Sequence, residues 1–225
     1  MSVSVVVPTL NEETVLAVTL QRARQPCVGE IIVVDGGSTD STPAIAARFA
    51  DHVIPAPCGR AVQMNVGAQR AGGDTLLFLH ADTLVPDGYA SAVIDACMQP
   101  GVIGGRFDVR LEPRTPLIWL TGELMNRRSR LTRISTGDQA IFIRRVLFER
   151  LGGYADIPLM EDVDLSRRMK RAGRVACLRQ RVTTSARRWQ KDGVLRTILL
   201  MWSLRALYFC GVSPARLQRV YANTR

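Results

Sequence analysis

The sequence predicts an α/β fold with a mostly parallel central sheet and helices on both faces. Residues 3–7, 30–35 and 76–79 are short apolar runs of the kind that form strands buried on both sides. Segments with apolar side chains at helical spacing separate these runs through residue 100. This alternation indicates parallel strands joined by right-handed crossovers.

The pattern changes after residue 100. Residues 104–110 alternate between apolar and polar side chains, as a half-exposed strand does. Residues 116–125 predict a helix, residues 127–133 a basic loop, and residues 161–172 a further helix that ends at Gly173. We expect one domain over residues 1–190 and a C-terminal helical extension over residues 191–225.

Part of this extension, residues 194–212, is apolar enough to raise the question of a membrane span. Arg196 and Arg205 are nine residues apart and fall on opposite sides of a helix. An arginine near the centre of a bilayer costs roughly 2.5–3.5 kcal/mol. We therefore predict a helix that packs on the domain or lies at a membrane surface.

Cysteine usage and the N-terminus favour a cytoplasmic protein. The five cysteines are scattered, odd in number and contain no C-x-x-C pair, so we expect reduced thiols. No basic residue precedes the apolar run at residues 5–7, and Pro8 ends it, so no secretory signal is predicted.

Charge is distributed unevenly along the chain. Residues 1–100 hold five arginines and ten carboxylates, whereas the remainder holds twenty-five basic and ten acidic residues. This asymmetry is compatible with an anionic partner, namely a phosphorylated acceptor, a membrane surface or nucleic acid. A solvated basic surface explains it equally well, since 28 of the 30 basic residues are arginine.

Polar side chains follow three of the predicted strands. Carboxyl ends of parallel strands share one sheet edge, where ligands of open α/β sheets bind, so a nucleotide pocket is one interpretation. The other is helix capping by Asn11 and Ser38. The first turn lacks the G-x-G-x-x-G of dinucleotide-binding enzymes. The residues concerned are Thr9, Asn11, Glu12, Asp35, Ser38 and Asp82.

His80 and Asp82 are two positions apart after the strand at residues 76–79, so both side chains face the same way. One carboxylate together with substrate phosphates is the usual way in which Mg²⁺ is held, and Mn²⁺ accepts the same ligands. A hydrogen-bonded His–Asp pair is the alternative.

The helix predicted at residues 161–172 has a carboxylate in line with its apolar stripe. Asp162 shares that stripe with Leu165 and Met169, whereas Asp164 lies on another, solvent-facing side where it can pair with Arg168. An inward carboxylate at a helix start is a candidate general base. A favourable helix-dipole position is the alternative.

Together these motifs resemble the family-two inverting glycosyltransferases of the Rossmann-like GT-A fold. They are Val-Val-Val-Pro-Thr-Leu-Asn-Glu at residues 5–12, Ile-Ile-Val-Val-Asp-Gly-Gly-Ser-Thr-Asp at 31–40, Gly59 and Arg60 with Asn65 and Gly67, Phe-Leu-His-Ala-Asp at 78–82, and Glu-Asp at 161–162. The chain's compact length, its His-Ala-Asp motif and residues 135–139 are most similar to a bacterial subgroup associated with arsenosugar or selenium-related gene clusters.

The resemblance implies transfer of a sugar from a nucleotide-diphosphate sugar, UDP-linked, to an acceptor hydroxyl. Residues 1–100 would bind the donor and residues 101–190 the acceptor. Asp82 would hold Mn²⁺ or Mg²⁺, and Asp162 would be the catalytic base. The other implied donor contacts are Pro8, Thr9, Asn11, Glu12, Asp35, Ser38, Arg60, Asn65, His80 and Ala81.

On the acceptor side the resemblance implies Gly137, Asp138, Gln139 and Glu161. Arg188 and Trp189 are similar to an element that binds diphosphate or product in processive members. The acceptor would be a small molecule or lipid-linked, with no nucleic acid involved. The basic C-terminal half permits peripheral contact with the inner face of the membrane.

Two other functions remain open. A nucleotidyltransferase on a similar sheet would release pyrophosphate in place of a nucleoside diphosphate. A non-catalytic module that binds polyanions through the basic second half would show strongly salt-dependent binding without a need for Asp82.

Overall fold

The computed structural model describes residues 1–186 and 193–223, which contain an eight-stranded sheet in the order β3-β2-β1-β4-β7-β6-β8-β5. The strands are β1 (Val3–Thr9), β2 (Val28–Asp35), β3 (His52–Pro55), β4 (Thr75–Phe78), β5 (Thr83–Leu84), β6 (Val102–Glu112), β7 (Phe142–Arg144) and β8 (Arg174–Ser185). The helices are α1 (Leu16–Ala23), α2 (Thr42–Phe49), α3 (Arg60–Arg70), α4 (Tyr89–Met98), α5 (Pro116–Thr132), α6 (Arg145–Arg150), α7 (Glu161–Ala172), α8 (Val194–Phe209) and α9 (Pro214–Asn223), with a 3₁₀ turn at Gly137–Gln139.

Strands β1 to β4 are mutually parallel, as the alternation of strands and helices predicts. Beyond β4 the sheet becomes mixed, because β7 runs antiparallel to both β4 and β6. Strand β8 is parallel to β6 and antiparallel to the short β5. The predicted α/β class is confirmed, and strands β1 to β4 form its parallel part.

Both faces of the sheet are covered by helices, as predicted. Val5 of β1 packs in one core with Leu16 of α1 and Val93 of α4. Val6 points the other way and packs in a second core with Met64 of α3 and Met169 of α7. Alternate residues of one strand therefore serve two cores, which explains the continuous apolar runs in the sequence.

A third, smaller core joins the C-terminal helices to the domain. Leu204 of α8 and Leu217 of α9 are fully buried there with Val163 of α7. In the described part of the chain, no helix is long and apolar enough to cross a membrane. The prediction of a C-terminal helix packed on the domain is confirmed.

Two local predictions are wrong. Strand β6 is not half-exposed, since every residue from Val102 to Val109 is buried, with β7 and β8 at its edges.

The basic segment at residues 127–133 is not a loop, because α5 continues to Thr132. Arg130 of this last turn donates hydrogen bonds to Asp108 of β6 and to the Cys177 carbonyl of β8, and these contacts hold the segment against the sheet. Strand β8 was not predicted.

The paired glycines of β6 allow an unusually close approach of its neighbours. A Cβ at Gly104 would contact the Phe142 carbonyl oxygen and lie 2.7 Å from the Ile143 Cα, both backbone atoms of β7. Backbone in the centre of a sheet cannot move aside cheaply, so these positions require glycine.

We predict that Gly104→Ala lowers the free energy of unfolding by about 1–3 kcal/mol or more, as core overpacking does. Urea unfolding followed by circular dichroism measures this change. Gly72→Ala is the matched control, because its Cβ would meet only the Glu30 Oε1 atom at an ordinary 3.6 Å. Equal losses in both variants would show that the close approach at β6 is not the cause.

Candidate active site

The ends of β1 and β2 are joined by a carboxylate. Asp35 Oδ1 accepts a hydrogen bond from Thr9 Oγ1 at 3.2 Å, and Asp35 Oδ2 accepts from the backbone amides of Gly37 and Ser38 at 3.1 and 2.9 Å. Burial disfavours the ionised form, but the hydrogen bonds outweigh it and lower the pKa of Asp35 below its usual value. The result is a fixed, ionised carboxylate at the edge of the sheet.

Asn11 and Ser38 connect the two turns that follow these strands. The Asn11 amide donates to Ser38 Oγ at 2.9 Å, and Asn11 Oδ1 accepts from the Thr39 amide at 2.9 Å. The capping interpretation is wrong, because the N-cap positions are Val15 for α1 and Ser41 for α2, and neither makes a side-chain cap.

Gln63 is a site residue that was not predicted. Its Nε2 donates to the carbonyls of Thr9 and Val34, both at 2.8 Å, and so bridges the ends of β1 and β2. Its Oε1 accepts from the Gly59 amide at 3.3 Å, just before α3 begins. The signal was present in the sequence, since Gln63 interrupts the buried apolar face of α3 beside Met64.

His80 pairs with Asp138 across the site. His80 Nδ1 lies 3.5 Å from Asp138 Oδ1, and Asp138 belongs to the 3₁₀ turn before β7. Burial opposes a charged imidazole, but the hydrogen bond and charge of Asp138 outweigh it and raise the pKa of His80. The structure thus contains a His–Asp pair, with Asp138 as the partner.

Asp82 offers a single carboxylate after β4. Its Oδ1 accepts from the hydroxyls of Thr83 and Thr184, each at 3.4 Å. Over residues 1–186 and 193–223, no group of three or more His, Cys, Asp and Glu side chains could hold a metal ion. This donor set fits Mg²⁺ or Mn²⁺ held by one carboxylate and completed by substrate phosphate oxygens.

The first residue of α7 anchors an arginine of α3. Arg60 Nε lies 3.0 Å from Glu161 Oε1, and the Glu161 side chain is buried. Burial and the neighbouring Asp162 raise the pKa of Glu161, against the opposing effect of Arg60. Glu161 was expected to contact the acceptor. In the structure it forms an ion pair with Arg60 and orients that side chain.

Asp162 is tied to the turn that carries Asp138. Its Oδ2 accepts from the Gly137 amide at 2.8 Å, and the side chain stays partly exposed. A Cβ on Gly137 would lie 2.6 Å from His80 Cε1, so only glycine lets this turn approach His80. The start of α7, the 3₁₀ turn and the end of β4 thus form one connected group.

The expected Asp164–Arg168 pair is present, with Arg168 Nε 2.8 Å from Asp164 Oδ2. The expectation that it faces solvent is wrong, because both side chains are about three-quarters buried. Arg168 Nη1 also donates to the carbonyls of Leu151 and Gly153 at 2.6 and 2.7 Å. The pair therefore anchors the turn that follows α6.

These residues surround a cavity of about 810 Å³. The predicted residues that line it are Pro8, Thr9, Glu12, Arg60, His80, Ala81, Asp82 and Asp138. The other described candidates are not among the lining residues: Asn11, Asp35, Ser38, Asn65, Gly137, Gln139, Glu161 and Asp162. Arg188 and Trp189 lie outside the described residues.

Asn65 was predicted to contact the nucleotide-sugar donor, but its side chain bonds to the backbone of Tyr154. Its Nδ2 donates to the Tyr154 carbonyl at 2.9 Å, and its Oδ1 accepts from the Tyr154 amide at 2.8 Å. This pair of bonds holds the segment before α7 on α3 and uses both polar atoms of the Asn65 side chain.

A second wall, formed by α5, α8 and the end of β8, was not predicted. Its members include Leu124, Arg128 and Leu131 of α5 and Trp202 and Arg205 of α8. The first part of α5 was predicted, but the part that carries Arg128 and Leu131 was missed because residues 127–133 were interpreted as a loop. Thr184 and Ser185 of β8 complete this wall.

Residues 4–151 match the family model of Glycosyl transferase family 2. The chain belongs to this family. It is 35% identical over 164 residues to a PGL/p-HBAD biosynthesis glycosyltransferase of Mycobacterium bovis, which covers 67% of the chain and 62% of that relative. The chain thus spans about three-fifths of the length of this family relative.

Solved structures share the fold. Staphylococcus aureus TarS 1–349 in complex with UDP-GlcNAc superposes with a TM-score of 0.64 at 20% identity, over 83% of this chain and 59% of that one. GalNAc-T7 with UDP, GalNAc and Mn²⁺ gives 0.62 at 18% identity, over 82% and 44%. The expected family-two membership is confirmed, and the arsenosugar or selenium subgroup stays a prediction.

We predict that Asp138→Asn lowers the pKa of His80 toward or below its usual 6.5, because the hydrogen bond and charge that raise it are lost. The chain has two histidines, so NMR titration in chelator resolves His80 and uses His52 as the reference. In the wild-type protein, the contribution of the His80–Asp138 pair to the free energy of unfolding should be present below about pH 6.5. It should be lost as the pH rises through the raised pKa of His80 in the folded protein. An unchanged pKa of His80 in the variant would contradict the pairing.

Proposed function

We propose that this family member transfers a sugar from a UDP-linked nucleotide-diphosphate sugar to an acceptor hydroxyl, with inversion at the anomeric carbon. The observation that carries the proposal is the shared cavity. Thr9 and Asp82, which follow strands, line it together with Arg60 and Asp138. Arg60 pairs with Glu161, and the amide of Gly137, next to Asp138, donates to Asp162, so both carboxylates that open α7 are tied to this cavity. The UDP-GlcNAc complex of TarS supports a UDP-linked donor.

Asp82 would hold Mn²⁺ or Mg²⁺ together with the donor diphosphate. When bound, the metal offsets the negative charge that develops on the departing diphosphate. Thr9 and Glu12 line the same cavity as Asp82 and would position the nucleotide. Arg60, held by its ion pair with Glu161, would contribute a positive charge to the site. The Mn²⁺ named with GalNAc-T7 supports a divalent metal.

Asp162 would take the proton from the acceptor hydroxyl as it attacks from the face opposite the diphosphate. The Gly137 amide donates to Oδ2 of Asp162 and the Val163 amide to Oδ1, so each carboxylate oxygen has a second lone pair that can accept from the acceptor hydroxyl. Alignment and electrostatic stabilisation would then supply most of the rate enhancement.

The finer assignments belong to the same proposal. Residues 1–100 would bind the donor and residues 101–190 the acceptor, a small molecule or a lipid-linked one. A cytoplasmic location with peripheral contact at the inner membrane face, and a role in arsenosugar biosynthesis, remain predictions. Assays of nucleoside diphosphate release with UDP-, GDP- and dTDP-sugars test the donor, and release of pyrophosphate alone would favour a nucleotidyltransferase.

We predict that EDTA abolishes transfer and that Mn²⁺ or Mg²⁺ restores it. Asp82→Ala should weaken metal-dependent UDP binding, measured by calorimetry, because it removes the carboxylate that would hold the metal. Asp87→Ala, five residues further on and exposed, is the control and should bind UDP normally. Full activity in chelator would remove the metal from the mechanism.

We predict that Asp162→Asn lowers turnover by ~10²–10⁴-fold, the usual worth of general-base catalysis, since an amide cannot accept the proton. Donor affinity measured with metal present should change little. Asp95→Asn, on the exposed face of α4, is the control and should retain full turnover. Asp164 does not serve as a control because it anchors Arg168.

If Asp138→Asn loses turnover to this extent while Asp162→Asn retains it, the base is Asp138, which lines the cavity directly.

A further inference from the structure

Two arginines on the second wall of the cavity have nitrogens without partners. Arg128 Nε and Nη2 and Arg205 Nε are buried and make no hydrogen bond within the described residues. Burial, and then the charge of Arg205, lower the pKa of Arg128 to about 10, so the two cations are close enough to repel each other. Buried donors without partners cost free energy, which a bound anion would recover.

Each arginine lies in line with an exposed apolar stripe on its helix. On α5, Leu117, Leu120, Leu124 and Leu131 recur at helical spacing with Arg128 between the last two. Leu131 is 85% exposed and Leu124 44% exposed, yet both line the cavity.

Helix α8 repeats this arrangement. Leu195, Leu199, Trp202 and Phe209 are all exposed, and Arg205 lies between the last two on the same face. Trp202 is 60% exposed and lines the cavity beside Arg205. Apolar side chains exposed in this number mark a binding surface.

We propose that α5 and α8 bind an amphiphilic acceptor, with a phosphate head group between Arg128 and Arg205 and an apolar chain along the two stripes. This inference rests on the proposed glycosyl transfer and names the class of its acceptor. Planar guanidinium groups form paired hydrogen bonds with phosphate oxygens, and the leucine and tryptophan side chains match a hydrocarbon chain.

The position of the arginines favours the acceptor over the donor diphosphate. Arg128 and Arg205 come from α5 and α8, whereas the predicted donor contacts come from strand ends and α3. Arg205 lines the same cavity as Asp138, and the charges of Asp162 and Asp138 both act on it, so a head group bound to Arg205 would lie near the candidate base. In such an acceptor the phosphate would contact the two arginines, the reacting hydroxyl would lie on the head group within reach of Asp162, and the apolar chain would follow the exposed stripes of α5 and α8.

Calorimetry on the full chain tests the proposal with monomeric dodecyl phosphate as the probe. We expect dodecyl phosphate to bind more tightly than inorganic phosphate or the uncharged surfactant dodecyl maltoside. The double variant Arg128→Gln, Arg205→Gln should lose roughly tenfold or more in affinity, because charge-assisted hydrogen bonds disappear. Trp202→Ala should weaken dodecyl phosphate binding and leave inorganic phosphate binding unchanged.

The controls separate this proposal from the glycosyl transfer itself. Arg219→Gln, on the exposed face of α9, should bind dodecyl phosphate normally. UDP with Mn²⁺ should bind the double variant within about twofold of the wild-type affinity, and circular dichroism verifies that the variant is folded. Failure of UDP binding in the wild-type protein would instead count against the proposed donor.

Three results would overturn the proposal. The first is equal binding of dodecyl phosphate and dodecyl maltoside, which would indicate a surface for apolar chains alone. The second is an equal loss of UDP affinity in the double variant, which would assign the arginines to the donor diphosphate. The third is binding to anionic phosphatidylglycerol vesicles without binding of monomeric dodecyl phosphate, which would indicate a membrane-docking surface.

Discussion

The close approach of β6 to its two neighbours is the constraint on which the second half of the fold depends. Gly104 and Gly105 pair with β7 on one side and β8 on the other, and a Cβ at either would collide with neighbouring backbone. Strand β8 continues from this contact to β5, where Thr184 reaches Asp82. The second wall of the cavity is therefore positioned by backbone packing that only glycine permits.

Buried polar contacts then fix α5 on that strand. Asn126 bonds both the amide and the carbonyl of Val109, at 2.8 and 2.9 Å, and the fully buried Arg106 pairs with Asp108. Buried ion pairs add little net stability, but removing one partner is costly, so such contacts specify one register. This register places Arg128 on the cavity wall.

The basic excess of the second half has more than one cause. Arg133 and Arg145 donate to backbone carbonyls, as does Arg168, so many of these charges serve the fold. Net charge alone was therefore compatible with both a structural surface and an anionic partner. Arg128 and Arg205 differ from these arginines in lining the cavity, where each has a buried nitrogen with no hydrogen-bond partner among the described residues.

The sequence by itself determined the parallel half of the sheet, the apolar stripe of α7 and the carboxylates at the strand ends, because these follow from local periodicity and from the common edge of parallel strands. It did not determine β8, the length of α5 or the pairing of His80 with Asp138. Those depend on contacts between residues far apart in the chain, such as Gly104 with Val175 and Asp162 with Gly137. Only the tertiary structure decided them, because local sequence carries no record of which distant backbone will pack against it.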